Sequence, residues 1–189
     1  MGFAAWPEVG ITYGGFDGPD VECWNAACLG RELASSGQKT IHVMSSFALP
    51  RVRLDGVRSK TLDGHGHTLS FVPGTDRSMF ELRGGSFNLV FRNIKFEHQA
   101  ARGDGADVFM VRWAHHVVID SCTFEYGSCD TSTCDESIHL RTPTTFVTVS
   151  RCLFDAYDTN MNIKAHFEPY ETVYDDHGGR VTRFPASVS

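Results

Sequence analysis

NLVFRNIKF (residues 88–96), laid over HVVIDSCTF (116–124) and FVTVSRCLF (146–154), brings Phe96, Phe124 and Phe154 into one column at spacings of 28 and 30 residues. Two positions earlier stand Ile94, Cys122 and Cys152, so a smaller apolar residue recurs with the parity of a strand. Upstream, MFEL (79–82), VFMV (108–111) and SIHL (137–140) form a second column. Several short strands per repeat of about 20–30 residues, with no helix between them, are the mark of stacked parallel coils. The pattern predicts an all-β chain folded as a right-handed parallel β-helix. The competing arrangement, a sandwich or barrel of antiparallel hairpins, calls for strict polar–apolar alternation and two-residue turns such as Asn-Gly, and neither dominates here.

Outward from these repeats, TIHVM, RVRL and TLSFV continue the strand pattern back to Thr40, and NMNIK carries it past Phe154. Helix signals are confined to Cys23–Ser35, where Trp24, Ala27, Cys28, Leu33 and Ala34 make an apolar stripe interrupted by Gly30. The expected organisation is an N-terminal cap with one short helix over 1–39 and β-helix coils over 40–189.

The 189 residues carry 17 Lys+Arg against 23 Asp+Glu, a formal charge of -6, which argues against a module for duplex nucleic acid. With 41% apolar and 12% aromatic residues the chain can bury a core. No apolar run reaches the roughly 18 residues that span a bilayer, so no membrane association is expected, and MGFAAWPEVG lacks the features of a signal peptide. Cys23/Cys28 and Cys129/Cys134 each sit five apart in turn-rich stretches where a local disulfide is sterically open. Neither pair has the gap of usual zinc ligand pairs. Cys122 and Cys152, one repeat apart, are expected to stack inside as buried thiols rather than as a bridge.

Eleven residues past each stacked phenylalanine stand Asp107, Asp135 and Ala165. Adjacent coils lie about 4.8 Å apart, so this count sets two carboxylates side by side, where repulsion favours a cation between them. Oxygen ligands on rigid strands suit Ca²⁺. The plainer reading is that both are aspartates opening strands after turns.

The stretch from Lys60 to Val181 resembles the pectate lyase family, polysaccharide lyases built on a parallel β-helix. SKTLDGHG (59–66) is similar to the family's "kTIdGrG", NLVFRNIKF to "NVIIRNlrF", ADVFMV (106–111) to "DAIsI" and HHVVIDSCTF (115–124) to "knVWIDHCsfs". DESIHL (135–140) is similar to "DGliDi", FVTVSRCLF to "yVTiSwcrF" and YDTNMNI (157–163) to "hdKtmLiG". The resemblance implies calcium-assisted β-elimination on polygalacturonate, with a metal that neutralises the uronate carboxylate and stabilises charge developing in the transition state. It also implies a secreted protein, expected as a monomer, whose partner is the acidic polysaccharide of pectin.

Position by position, Asp107 and Asp135 match calcium ligands of the family, whereas His139 stands where the third carboxylate should be. Imidazole is a poor ligand for a hard cation, so calcium affinity should fall or an ion that tolerates nitrogen should replace it. The family's substrate-contacting lysine falls on Thr159, with Lys164 five residues on. The proton-abstracting arginine belongs to a later coil than the segment matching 175–184. Arg183 is then the one candidate base, and the coils read as incomplete at the C-terminus. These departures keep open a rival from another class, a carbohydrate-binding or structural β-helix without turnover. A calcium-independent pectin lyase relative is disfavoured by Asp107 and Asp135. Elsewhere, His65 and His67 in GHGH read as solvated turn residues with no third ligand nearby, and His115 and His116 as hydrogen-bonded turn histidines.

Overall fold

The structure, a computed structural model, describes residues 11–71, 78–98, 107–126, 136–155, 161–164, 172–174 and 180–182. All but two of its described strands fall into three parallel sheets. The first contains β1 (Asp20–Cys23), β2 (Lys39–Val43), β5 (Arg58–Asp63), β8 (Ser86–Arg92), β11 (Ala114–Asp120) and β14 (Thr145–Ser150), in that spatial order. The second runs β3 (Phe47–Leu49), β6 (Thr68–Phe71), β9 (Lys95–His98), β12 (Thr123–Tyr126) and β15 (Leu153–Asp155). The third runs β4 (Val52–Asp55), β7 (Phe80–Arg83), β10 (Phe109–Arg112), β13 (Ile138–Arg141) and β16 (Met161–Lys164). From β2 to β16, each strand pairs with the one three places further along the chain, so successive strands visit the three sheets in turn.

The two columns read from the sequence are strand registers. Phe96 pairs with Phe124 and Phe124 with Phe154. In the third sheet Phe80 pairs with Phe109 and Phe109 with Ile138. Parallel pairing puts like on like, and the buried rings of Phe80, Phe91, Phe96, Phe109 and Phe124 meet in the space enclosed by the sheets. Phe80 stacks on Phe109 at 5.1 Å, while Phe91 and Phe96 meet Phe109 edge-on at 4.9 and 5.1 Å, the offset and T-shaped geometries that aromatic quadrupoles favour.

The corner between first and second sheets is built the same way three times. Asn93-Ile94, Ser121-Cys122 and Arg151-Cys152 are the only residues between the strands they join. The first of each pair is left-handed, with φ of 55°, 53° and 53°, which redirects the chain within one residue. Ile94 and Cys122 then point inward, each 1% exposed, with Cys152 partly buried behind them. Cys122 and Cys152 are unbridged, as the sequence reading expected.

The first strands of the stack would expose apolar edges, a hazard for parallel sheets. Helix α1 (Ala26–Ala34) covers them, packing against β1 to β4 with Leu29 and Leu33 buried at i, i+4 spacing. It is shorter than the predicted Cys23–Ser35 because Asn25 caps it, its side-chain oxygen accepting from Cys28 N at 2.9 Å. A Cys23–Cys28 disulfide fastens the end of β1 to the first helical turn. Cys129 and Cys134 lie outside the described residues. Ahead of β1, the backbone of Tyr13–Gly15 straps across the first sheet. Tyr13 N and Gly14 N donate to Asn88 Oδ1 at 2.8 Å, and Gly15 N donates to Thr61 Oγ1 at 2.9 Å. A Cβ on Gly15 would lie 1.8 Å from the Lys39 carbonyl oxygen, so only glycine allows that approach.

Two further described strands stand apart from these three sheets. β17 (Thr172–Tyr174) and β18 (Arg180–Thr182) pair with each other antiparallel and form a separate two-stranded sheet. Five residues join them, a connection that suits an antiparallel return and is too short for a parallel crossover.

Candidate functional site

Asp107, Glu136 and His139 come together at the N-terminal ends of β10 and β13, with their ligand atoms all within 4.8 Å of one another. Asp107 is 0%, Glu136 4% and His139 3% exposed, so the cluster is enclosed. His139 Nδ1 lies 3.4 Å from Glu136 Oε2 and 3.6 Å from Asp107 Oδ2. Asp107 is held from two sides: Ser78 Oγ donates to its Oδ2 at 3.2 Å and Glu136 N to its Oδ1 at 3.3 Å. Asn162, paired with His139 across β13 and β16, donates from its amide to Glu136 Oε1. Enclosed carboxylates are costly to ionise without a hydrogen bond or a positive charge close by, and the imidazole lies within 3.6 Å of both.

The neighbour of Asp107 is thus Glu136, one residue on from the expected Asp135. The eleven-residue count fails because the connections differ. Phe96 and Phe124 pair, as do Phe109 and Ile138, so the segment from Phe124 to the third sheet is one residue longer than that from Phe96. The second sequence column carried the right spacing, since Asp107 precedes VFMV as Glu136 precedes SIHL. Asp135, Thr159, Ala165 and Arg183 lie outside the described residues. Lys164 closes β16, in register with Arg141.

The donor set decides which ion suits the cluster. Calcium takes six to eight oxygens, whereas the described side chains here offer two carboxylates and a nitrogen. Among the described residues the set thus offers calcium few oxygens, and its imidazole is a donor that smaller borderline cations accept more readily.

Beside the cluster the third sheet carries a cleft of about 280 Å³, lined by Arg51, Ser78, Glu81, Arg83, Arg112 and Arg141. Ser78 links it to Asp107. Alternation along the strands explains the lining: Phe80 and Leu82, like Phe109 and Val111, face inward, which turns Glu81, Arg83 and Arg112 outward. Parallel register then aligns the guanidinium-bearing residues, because Arg112 pairs with Arg141, while Arg83 falls one step beyond the Leu82–Val111 pair. The result is a basic row at strand spacing, about 4.8 Å per step. Arg83 is engaged with Asp55 at 3.3 Å and Glu81 at 3.6 Å. Arg112 and Arg141 are exposed and, among the described residues, neither has a carboxylate partner.

The remaining histidines are not isolated. His115 and His116 bring their Nδ1 atoms to 2.8 Å, and the His115 ring stacks on Phe87 at 5.2 Å. Burial, with the neighbouring His116 and Arg58 adding to it, lowers the pKa of His115. His65 does have ligand-type neighbours other than His67: His42 from the previous coil and Asp63, two residues before it, stand beside it. No protein-family model matches the chain, and no curated protein matches it.

Proposed function

We propose that the three parallel sheets are the faces of a right-handed parallel β-helix of pectate-lyase type, and that the protein acts on an acidic polysaccharide of the polygalacturonate class. The observation that carries this is the row Arg83, Arg112 and Arg141 across one sheet, with two guanidiniums lacking acidic partners among the described residues. A linear chain bearing one carboxylate per sugar complements evenly spaced cations, and a guanidinium engages a carboxylate through two parallel hydrogen bonds. The Cys23–Cys28 disulfide supports an oxidising, extracellular setting for such a substrate.

Guanidiniums on the uronate carboxylate hold the sugar and withdraw charge from the carbon next to it, which makes the C5 proton more acidic. A base, for which Arg183 is the candidate, takes that proton, the C5–H electrons form the C4–C5 double bond, and the C4–O bond breaks with its electron pair on the departing glycosidic oxygen, which takes a proton from water. Calcium is given no part in this sequence, because the described side chains of the cluster beside the cleft offer it few oxygens. A second reading, polysaccharide binding without turnover, is favoured by the enclosure of Asp107, Glu136 and His139 away from the cleft surface.

Purified protein mixed with polygalacturonate distinguishes them. Ultraviolet absorbance from the unsaturated product supports the lyase. Sedimentation with the polymer, salt-sensitive and abolished in Arg112→Gln/Arg141→Gln, without absorbance, supports the binder. Neither absorbance nor co-sedimentation overturns both.

A further inference from the structure

A second cluster lies at the first sheet, and it is made of histidines. His42 Nδ1 is 2.7 Å from His65 Nε2, the rings lying 5.0 Å apart and 30° from parallel. Each ring has a carboxylate on its far side. His42 Nε2 is 3.1 Å from Asp20 Oδ1, and His65 Nδ1 is 4.0 Å from Asp63 Oδ1. The order is therefore carboxylate, imidazole, imidazole, carboxylate, with the two inner nitrogens converging.

The fold fixes this chain of groups. His42 pairs with Asp63 across β2 and β5, and with Glu22 across β1 and β2. His65 sits two residues past Asp63 at φ 50°, a left-handed bend that swings its ring back over His42. Asp63 is anchored: its Oδ1 accepts from His65 N and from Asn93 Nδ2, both at 3.1 Å, and its Oδ2 accepts from Arg92 Nε at 2.7 Å. The side chains of His42 and His65 are 22% and 47% exposed, so an ion can reach them and water can complete its coordination.

We propose that His42 Nδ1 and His65 Nε2 bind a divalent transition-metal ion of the imidazole-seeking class, with Zn²⁺ as the type. With both rings neutral and His42 Nε2–H donating to Asp20, the single hydrogen between the rings belongs to His65 Nε2. Its transfer to His65 Nδ1, facing Asp63, leaves two lone pairs directed at one point. Zinc–nitrogen bonds of about 2.0–2.1 Å at a tetrahedral angle place the nitrogens roughly 3.3 Å apart, so the rings separate by about half an ångström. Asp20 and Asp63 are then the positioning carboxylates that fix tautomer and ring orientation in histidine metal sites. The site is independent of the Asp107 cluster and of the polysaccharide reading.

Zinc titration of the whole protein against a chromophoric chelator tests this, with circular dichroism establishing that each variant is folded. The wild type is expected to take up an equivalent of Zn²⁺ that His42→Gln and His65→Asn each lose, with affinity at least 100-fold weaker. His65→Asn keeps a residue tolerant of the left-handed conformation, so it decides the matter should His42→Gln not fold. Asp20→Asn is expected to weaken binding about tenfold, and His139→Ala to leave this equivalent in place. No zinc uptake by the wild type, or uptake unchanged in His65→Asn, overturns the proposal.

Discussion

Phe124 lies flat against Phe154, their ring planes 3° from parallel and their centroids 4.8 Å apart, while its other face meets Phe96 at 5.3 Å. The column is a direct product of in-register parallel pairing, and its middle ring is fully buried. Phe124→Ala removes a ring with neighbours above and below, a cavity that strand-bound neighbours can only partly fill. Large-to-small changes of this kind cost about 3–5 kcal/mol. Urea denaturation should show that loss, with a smaller one for the half-buried Phe154.

The Asp107–Glu136–His139 cluster predicts its own conversion. Replacing the imidazole by a third carboxylate, His139→Asp, makes the set all-oxygen and adds like-charge repulsion that only a cation relieves. The variant should melt lower than wild type in chelator and gain several degrees on adding millimolar Ca²⁺. The wild type should show little calcium effect. Equal calcium shifts in the two proteins would contradict the donor-set argument.

What could be read in advance follows from how parallel coils are made. Like residues stack, so Phe96, Phe124 and Phe154 announced one sheet and Phe80, Phe109 and Ile138 another, and one short helix near the start of the chain was visible, though not its Asn25 cap. The cluster was harder to see. Strand register is set by backbone pairing, whereas connections change length freely, and one extra residue ahead of β13 puts Glu136 in register with Asp107, where the eleven-residue count points one residue earlier. Asn162 and the basic row were unreadable for a related reason: each is significant only through a neighbour one coil away. His42 and His65, 23 positions apart, share no motif and meet only because β2 pairs with β5.

The corner thiols should differ in reactivity. A hydrogen bond from Cys122 lowers the pKa of Cys152 to about 7 against the opposing effect of burial, and the same hydrogen bond, together with deeper burial, pushes the Cys122 thiol up. Iodoacetamide should therefore modify Cys152 first, with a rate midpoint near pH 7. Cys122→Ala removes the hydrogen bond and should move that midpoint toward the ordinary thiol value of about 8.5. Mass spectrometry of peptides quenched at successive pH values reads both. Preferential modification of Cys122 would refute the assignment.

Acid stability should depend on the pair that ties two first-sheet strands together. Arg151 Nε donates to Asp120 Oδ1 at 2.9 Å, its Nη2 donates to Oδ2, and Ser150 Oγ adds a bond to Oδ1 at 2.7 Å. The guanidinium, against a smaller opposing effect of burial and with help from Ser150, lowers the pKa of Asp120 below the usual carboxylate range. A carboxylate with a depressed folded-state pKa binds fewer protons folded than unfolded. Its stabilisation is complete above the unfolded value of about 3.9 and is lost as pH falls through the folded one. Asp120→Asn should therefore melt below wild type at pH 7, and the difference should shrink as the pH falls below about 4. Melting temperatures of the two proteins from pH 7 to pH 2.5 test this, and a constant difference across that range would show that the carboxylate's charge contributes nothing.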